Sequence, residues 1–282
     1  MRGLAWHPAA RDLADDCAVL EIGAETLILT HDMLVEGVHF LPDADPADVA
    51  WKLVATNISD LAAKGAQPLG VLLGFMLGKD DARFAQGLEE VLDHYGVPLL
   101  GGDTTGGGPP RAFGLTAIGQ ATHTPVPARS GARAGDAIYV TGPLGAAMLG
   151  FESLRDGTHG DSIAYRRPMA RLAEGQALAP LASAMMDISD GLLLDAARMA
   201  RASGVTLAIE AGSVPLAAPE QRRQDALRWG DDYELLFTAP EGFALPVSAH
   251  RIGSVIELSD APILLDWQAL SESDGLGYQH SS

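Results

Sequence analysis

The sequence is poor in residues that many common functional sites require. Its 282 residues include one cysteine, Cys17, so an intrachain disulfide and a cysteine-rich zinc site are both excluded. Lysine occurs only at Lys52, Lys64 and Lys79, and no G-x-x-x-x-G-K-[ST] motif is present. A nucleotide-binding P-loop is therefore excluded. The eight histidines are scattered, which also argues against zinc.

Long apolar runs are missing as well. No run approaches the ~18 residues of a membrane helix, and residues 1–16 contain no long apolar region typical of a signal peptide. We therefore expect a cytoplasmic protein with no membrane partner. Hydrophobic residues make up 47% of the chain and charged residues 20%, which is enough for a substantial core in one large or two ordinary domains.

Positive charge is scarce. The formal net charge is −18, from 37 acidic and 19 basic side chains. Nucleic-acid binding depends on neutralising phosphates, so a nucleic-acid partner is not expected. A nucleotide substrate would be repelled in the same way unless divalent cations bridged it to the protein.

Acidic side chains recur beside strand-like runs in both halves of the chain. Leu27–Leu29 predicts a buried strand, and Thr30, His31 and Asp32 follow where we expect it to end. The other clusters are Asp15 and Asp16, Asp60, Asp103, Asp187 and Asp190, and Asp231 and Asp232. One such aspartate alone would be interpreted as a helix cap or a turn residue. The repeated arrangement favours oxygen ligands for Mg²⁺ or Mn²⁺, and hence phosphate chemistry.

Residues 45–66 predict a helix, with Asp45 as the N-cap and Pro46 at the first helical position. Asp60 and Lys64 lie four residues apart on this helix. They could form an ordinary ion pair, or Asp60 could bind metal, and the spacing leaves both open.

Several further elements are predicted. Gly101 and Gly102 follow a short strand at 98–100 and predict a loop in which the backbone approaches a bound group closely. The Gly-rich segment 129–136 predicts a domain boundary. The remaining predicted elements are strands at 71–77, 112–121 and 137–140, helices at 80–95 and from about 144, and a strand ending at 187 before a helix.

Seven segments together resemble the thiamine-monophosphate kinases, a family of the superfamily that also contains aminoimidazole ribonucleotide synthetase and selenophosphate synthetase. They span Asp15 to Phe237 in this order: DDCAVL, THDMLVEGVHF, DPADVAWKLVATNISDLAAKGA, LLGGDTT, RSGARAGDAIYVTG, MMDISDGL and GDDYELLF. The resemblance implies an α/β (α+β) fold of the two-domain aminoimidazole ribonucleotide synthetase type. Residues 1–131 would bind ATP and metal and form a homodimer through their sheet, and residues 132–282 would close over the nucleotide.

The same resemblance implies transfer of the γ-phosphoryl group of ATP to thiamine monophosphate, with several Mg²⁺ ions. The metal ligands it implies are Asp16, Thr30, His31 through its main-chain carbonyl, Asp32, Asp60, Asp103, Asp187 and Asp190. Asp32, Asp103 and Asp190 are the implied catalytic residues. Gly102, Thr104, Arg129 and Ser189 would bind ATP. His39 and Asp231 would contact the thiamine substrate, with Tyr278 or Trp267 as the aromatic residue stacked on it, and we select Tyr278.

This sequence departs from the family pattern at several positions. Ala14 replaces a usual Gly, His31 replaces Ser or Thr, and Asp231 replaces a longer Glu. Two alternatives remain: another ATP-dependent synthetase of the same superfamily, and a non-catalytic nucleotide- or cation-binding relative. Acidic residues at every motif disfavour the second.

Overall fold

The computed structural model describes residues 2–279 and contains two sheets that follow one another along the chain. The first sheet has the strand order β1-β2-β5-β3-β4. Its strands are β1 (Ala18–Ile22), β2 (Glu25–Val35), β3 (Ala66–Met76), β4 (Leu99–Thr105) and β5 (Ala112–Ala121). β3 and β4 are parallel, and the other pairs in this sheet are antiparallel.

Two helices cover one face of this sheet, α1 (Pro46–Ala62) and α2 (Asp81–Tyr95). As predicted, Asp45 caps α1, because its side chain accepts a hydrogen bond from the Ala47 amide. α1 ends at Ala62 rather than near 66, and it is buried along almost its whole length. The helix lies between its own sheet and the second half of the chain, so its polar residues face protein on both sides.

The second sheet has the strand order β12-β11-β8-β10-β6-β9-β7. Its strands are β6 (Asp136–Val140), β7 (Ala184–Asp187), β8 (Thr206–Ile209), β9 (Leu235–Pro240), β10 (His250–Ile256), β11 (Ile263–Leu265) and β12 (Gln268–Leu270). The associated helices are α3 (Ala146–Asp156), α4 (Ile163–Arg166), α5 (Leu172–Leu178), α6 (Leu192–Ser203) and α7 (Arg223–Ala226). The predicted boundary between residues 131 and 132 lies in the segment that links the sheets, and it stays a prediction.

Apolar side chains form a core in each half and a third cluster between the halves. In the first half the core fills the space between the sheet and α1 and α2, and in the second half it packs around α6. Ala62 and Ala63 at the end of α1 pack with Met185 of β7 and Phe237 of β9. Because burial of apolar surface drives association, this cluster fixes α1 against the second sheet.

The structure corrects three predicted boundaries in the first sheet. β3 begins at Ala66 rather than at residue 71. Thr30, His31 and Asp32 do not end a strand but lie in the middle of β2. The Gly101–Thr105 segment is not a loop but continues β4. A Cβ on Gly102 would lie 1.9 Å from the carbonyl oxygen of Leu73, so glycine is needed there for close approach of the strands.

A smaller difference concerns the helix predicted from about Leu144, which begins at Ala146. Among residues 2–279, no helix is long and apolar enough to cross a membrane.

Candidate active site

Three aspartates from distant parts of the chain meet where α1 faces the second sheet. Asp16 precedes β1, Asp60 lies in the last turns of α1, and Asp187 ends β7. One carboxylate oxygen from each lies within 4.8 Å of the others. Three such oxygens, all on buried or half-buried residues, form a donor set that suits a hard divalent cation.

The carboxylates of this cluster disfavour one another's ionised forms. Burial and the neighbouring Asp32, Asp187 and Asp16 raise the pKa of Asp60 well above its usual value. Burial, together with Asp16, raises the pKa of Asp187 to about 8. Since a carboxylate must be ionised to bind metal, a divalent cation would replace protons here.

Hydroxyl groups orient two members of the cluster. The Thr30 hydroxyl donates to Asp60 Oδ2, and the Ser59 hydroxyl donates to Asp187 Oδ2 at 2.6 Å. The Thr30 hydroxyl thus lies beside the cluster, and its role as a metal ligand stays a prediction. The main-chain amide of Asp32 donates to Asn57 Oδ1 on α1 at 3.0 Å, which fixes this part of β2 against the helix.

Lys64 does not form the predicted alternative pair with Asp60. Its ammonium lies 2.6 Å from Asp15 Oδ1 and 2.6 Å from Asp16 Oδ2. Arg129 forms an ion pair with the other oxygen of Asp16. Burial would raise the pKa of Asp15, but Lys64 and Arg11 lower it to about 2. Lys64 and Arg129 thus both pair with Asp16 at the edge of the cluster. Lys64 is directed to Asp15 and Asp16 rather than to Asp60.

A cavity of about 700 Å³ lies beside the cluster. Asp32 and Asp190 line it, and partial burial, together with the negative charges of Asp16 and Asp190, raises the pKa of the Asp32 carboxyl. The acidic cluster and the cavity therefore share one electrostatic environment. The cavity walls carry the aromatic rings of Phe151, Tyr165, Trp229, Tyr233 and Tyr278.

The predicted substrate contacts converge on this cavity. His39, Asp231 and Tyr278 all line it, as does Ser189. The main-chain amide of Tyr278 donates to the carbonyl oxygen of Asp190 at 2.9 Å, so the C-terminal segment is attached to the acidic loop. Trp267, the other aromatic candidate, is 71% exposed and is not among the residues that line this cavity.

Asp103 lies elsewhere. β4 is the edge strand, three strands from β2 and hence about 14 Å away. Asp103 is in register with Gly74, Gly114 and Met33, so it shares the face of Met33. Asp32, one residue from Met33, points to the opposite face, towards α1. Within one chain Asp103 therefore does not join the other aspartates, while Gly102 and Thr104 lie on the α1 side of the same edge strand.

The His31 imidazole also points away from the cluster. Its Nδ1 lies 2.9 Å from the Thr116 hydroxyl on the outer face of the sheet, so only its main-chain carbonyl remains as the predicted ligand.

Comparison with known proteins identifies the family. Residues 14–121 match the model of the AIR synthase related protein N-terminal domain, and residues 133–262 match that of the C-terminal domain. The thiamine-monophosphate kinase of Salmonella typhimurium is 40% identical over 268 residues, covering 86% of this chain and 80% of its own. The chain belongs to the thiamine-monophosphate kinase family.

Solved structures agree with this assignment. The thiamine-monophosphate kinase from Aquifex aeolicus matches with a TM-score of 0.81 at 30% identity, over 90% of this chain and 92% of its own. A structure of AaThiL complexed with AMPPCP and TMP matches with a TM-score of 0.83 at 31% identity, over 91% of this chain and 89% of that one. The predicted fold class and family are confirmed.

The structure adds one residue of this kinase-family site that the sequence did not reveal. Asp195 of α6 is fully buried, and its Oδ2 accepts hydrogen bonds from the amides of Ser189 and Asp190 at 3.1 and 3.0 Å. Burial raises the pKa of Asp195 to about 7, against the lowering effect of Arg198. Asp195 thus shapes the loop of the MMDISDGL motif from behind. Its position in the first turn of a predicted helix was the available signal.

Proposed function

We propose that this protein catalyses Mg²⁺-dependent transfer of the γ-phosphoryl group of ATP to thiamine monophosphate, giving thiamine diphosphate and ADP. The observation that carries the proposal is the meeting of a three-carboxylate cluster with an aromatic-lined cavity at Asp32. A protein with a net charge of −18 that binds two polyanions needs cations at the point where they meet. Family membership supports the choice of substrate.

The residues present fit a divalent cation. Asp16, Asp60 and Asp187 would hold it, with Asp32 and Asp190 at the edge of the cavity, and Thr30 would orient Asp60. When bound, Mg²⁺ neutralises phosphate charge and stabilises the charge that develops during transfer.

The chain's own residues would then bind and align the two substrates. A phosphate monoester has a second pKa near 6, so its attacking oxygen is already an anion at neutral pH and requires no strong general base. The main task is to hold donor and acceptor in line. We propose that Arg129, Ser189, Gly102 and Thr104 contact the nucleotide, and that His39, Asp231 and Tyr278 contact thiamine monophosphate.

We also propose that the protein acts as a homodimer in the cytoplasm, with residues 1–131 forming the interface and residues 132–282 closing over the nucleotide. The face of the first sheet opposite α1 exposes Met33 and Leu72. Leu69 of β3 and Leu99 and Leu100 of β4 are exposed as well. Exposed apolar surface around an edge strand favours association with another chain. Asp103 lies on this face and strand, so we propose that it serves the site of the partner subunit.

The proposal is tested by measuring ADP release with different acceptors. We expect ADP with thiamine monophosphate in the presence of Mg²⁺, and none with thiamine, with an aminoimidazole precursor, or with excess chelator. ADP formed with an aminoimidazole precursor instead would favour another synthetase of the superfamily. Binding of ATP without turnover of any acceptor would favour a non-catalytic relative.

Stability should depend on pH and Mg²⁺ together. Asp187 has a pKa of about 8 in the folded protein against 3.8 as its ordinary value, so the folded state holds the extra proton. The contribution of this protonated carboxyl to the stability of the folded state is fully present below about pH 4 and is lost as the pH rises through about 8. We expect the metal-free melting temperature to fall across this range.

Added Mg²⁺ should raise the melting temperature more at alkaline than at acidic pH, because binding no longer has to displace protons. Thermal melts at several pH values, with and without Mg²⁺, would check this. A Mg²⁺ effect that is equal at all pH values would contradict a carboxylate-bound ion.

A further inference from the structure

Lys52 is the one buried lysine whose ammonium contacts the substrate end of the site. Its residue is 2% exposed, and its Nζ lies 2.8 Å from Asp231 Oδ2 and donates to the main-chain carbonyl of His39 at 3.1 Å. The same Nζ lies 3.9 Å from the centre of the Tyr165 ring. Lys52 therefore contacts both of the polar residues proposed to bind thiamine monophosphate.

The turn that carries His39 is fixed on two sides. The Val35 amide donates to His39 Nδ1 at 3.0 Å, so in the neutral ring the proton is on Nε2. The Tyr165 hydroxyl donates to the His39 carbonyl at 3.2 Å, beside the hydrogen bond from Lys52. Lys52 and Tyr165 therefore hold the backbone of His39, and the Val35 amide holds its ring.

The loop that carries Asp231 has an unusual backbone. Asp231 and Tyr233 have positive φ values of 62° and 51°, which non-glycine residues rarely adopt. Such conformations persist where the surroundings fix them. The Asp231 carboxylate accepts from Lys52 at Oδ2 and from the Tyr233 hydroxyl at Oδ1, at 2.9 Å for the latter. Lys52 thus attaches this strained loop of the second half to a helix of the first.

α1 connects this point to the metal cluster. Lys52, Thr56 and Asp60 are spaced by four residues and share one side of the helix, and Thr56 lines the cavity between the two ends. At 1.5 Å per residue, Lys52 and Asp60 are separated by about 12 Å along the axis. One rigid helix therefore determines the distance between the substrate contacts and the carboxylates.

We infer that Lys52 is a positioning residue, which holds His39 and Asp231 together so that the organic part of thiamine monophosphate is bound at a fixed distance from the metal cluster. This inference rests on the proposed function. It means that one ammonium group positions the residues that bind the phosphoryl acceptor. Loss of a purely structural ion pair between the two halves would lower stability and weaken the binding of both substrates alike. A positioning role affects the acceptor alone.

The test compares Lys52→Met with Lys52→Arg, with Lys79→Met as the matched control because Lys79 is exposed. Calorimetry would measure the Kd for thiamine monophosphate and, separately, for a non-hydrolysable ATP analogue with Mg²⁺. For Lys52→Met we expect the Kd for thiamine monophosphate to rise by about 10- to 100-fold, since a buried charged partner is lost, with the Kd for the analogue unchanged. Lys52→Arg should be intermediate, because guanidinium keeps the charge but not the compact ammonium geometry.

An unchanged Kd for thiamine monophosphate in Lys52→Met, or equal weakening of both ligands, would overturn the inference. If Lys52→Met does not fold, Tyr165→Phe and Lys52→Arg replace it. Both variants should weaken the binding of thiamine monophosphate and leave the binding of the ATP analogue unchanged. Wild-type affinity for thiamine monophosphate in both variants would overturn the inference. Turnover by the wild type and by Lys79→Met in the same series tests the proposed function itself, so the two failures can be told apart.

Discussion

Replacing Asp187 with Asn should lower kcat by about 10²- to 10³-fold or more, which is the range expected when an electrostatic stabiliser of the transition state is removed. Asn is nearly isosteric and can still accept the Ser59 hydroxyl, but it lacks the charge that a divalent cation requires. The metal-free variant should melt at the same or a higher temperature than the wild type, because Asn can be buried without the proton that Asp187 must take up on folding. Lost activity with retained or increased stability distinguishes a ligand from a folding residue.

The matched control is Asp136→Asn. Asp136 is also buried but lies at the start of β6, outside the site, where its Oδ2 accepts the Arg133 amide at 2.9 Å. We expect it to keep near-wild-type turnover. Near-wild-type turnover in Asp187→Asn, or a Mg²⁺-induced rise in melting temperature equal to that of the wild type, would exclude Asp187 as a ligand.

Helices and strands could be predicted well where the pattern of apolar residues along one element determines its structure. The strand at Ala112–Ala121 is found as predicted. β2 was predicted to end too early because its polar residues were interpreted as a strand end. The Thr30 hydroxyl instead donates to Asp60 of α1, the main-chain amide of Asp32 donates to Asn57 of the same helix, and the His31 ring faces outward to Thr116. Polar residues in mid-strand are stable here because another element supplies their partners.

The family resemblance implied Asp16, Asp60 and Asp187 as metal ligands from three separate motifs, and the structure places one carboxylate oxygen of each within 4.8 Å of the others. Their role as ligands stays a prediction, and the sequence did not reveal the partners of the nearby lysines. The partners of Lys52 and Lys64 depend on how the two halves pack, and helical spacing suggested Asp60 for Lys64. A long side chain reaches residues far away in sequence, so its partner follows from the tertiary structure.

Asp103 requires a different experiment, because its side chain lies on the outer face of the first sheet, away from the cluster of its own chain. If it completes the site of a partner subunit, Asp103→Asn and Asp187→Asn should each be nearly inactive as homodimers. A mixed dimer would contain one site that carries both substitutions and one site that carries neither, because each chain gives its cluster to one site and its Asp103 to the other. Differently tagged, co-expressed and tandem-purified mixed dimers should therefore recover about half of the wild-type activity.

The matched control for that measurement pairs Asp187→Asn with Asp60→Asn. Both substitutions lie in the cluster that a single chain contributes, so each site of this mixed dimer keeps one damaged cluster and no activity should return. Recovery in the first pair but not in the second would require Asp103 to act across the interface. Equal inactivity of both pairs would place Asp103 in the site of its own chain, and the edge strand would then have to move towards α1 when the nucleotide binds.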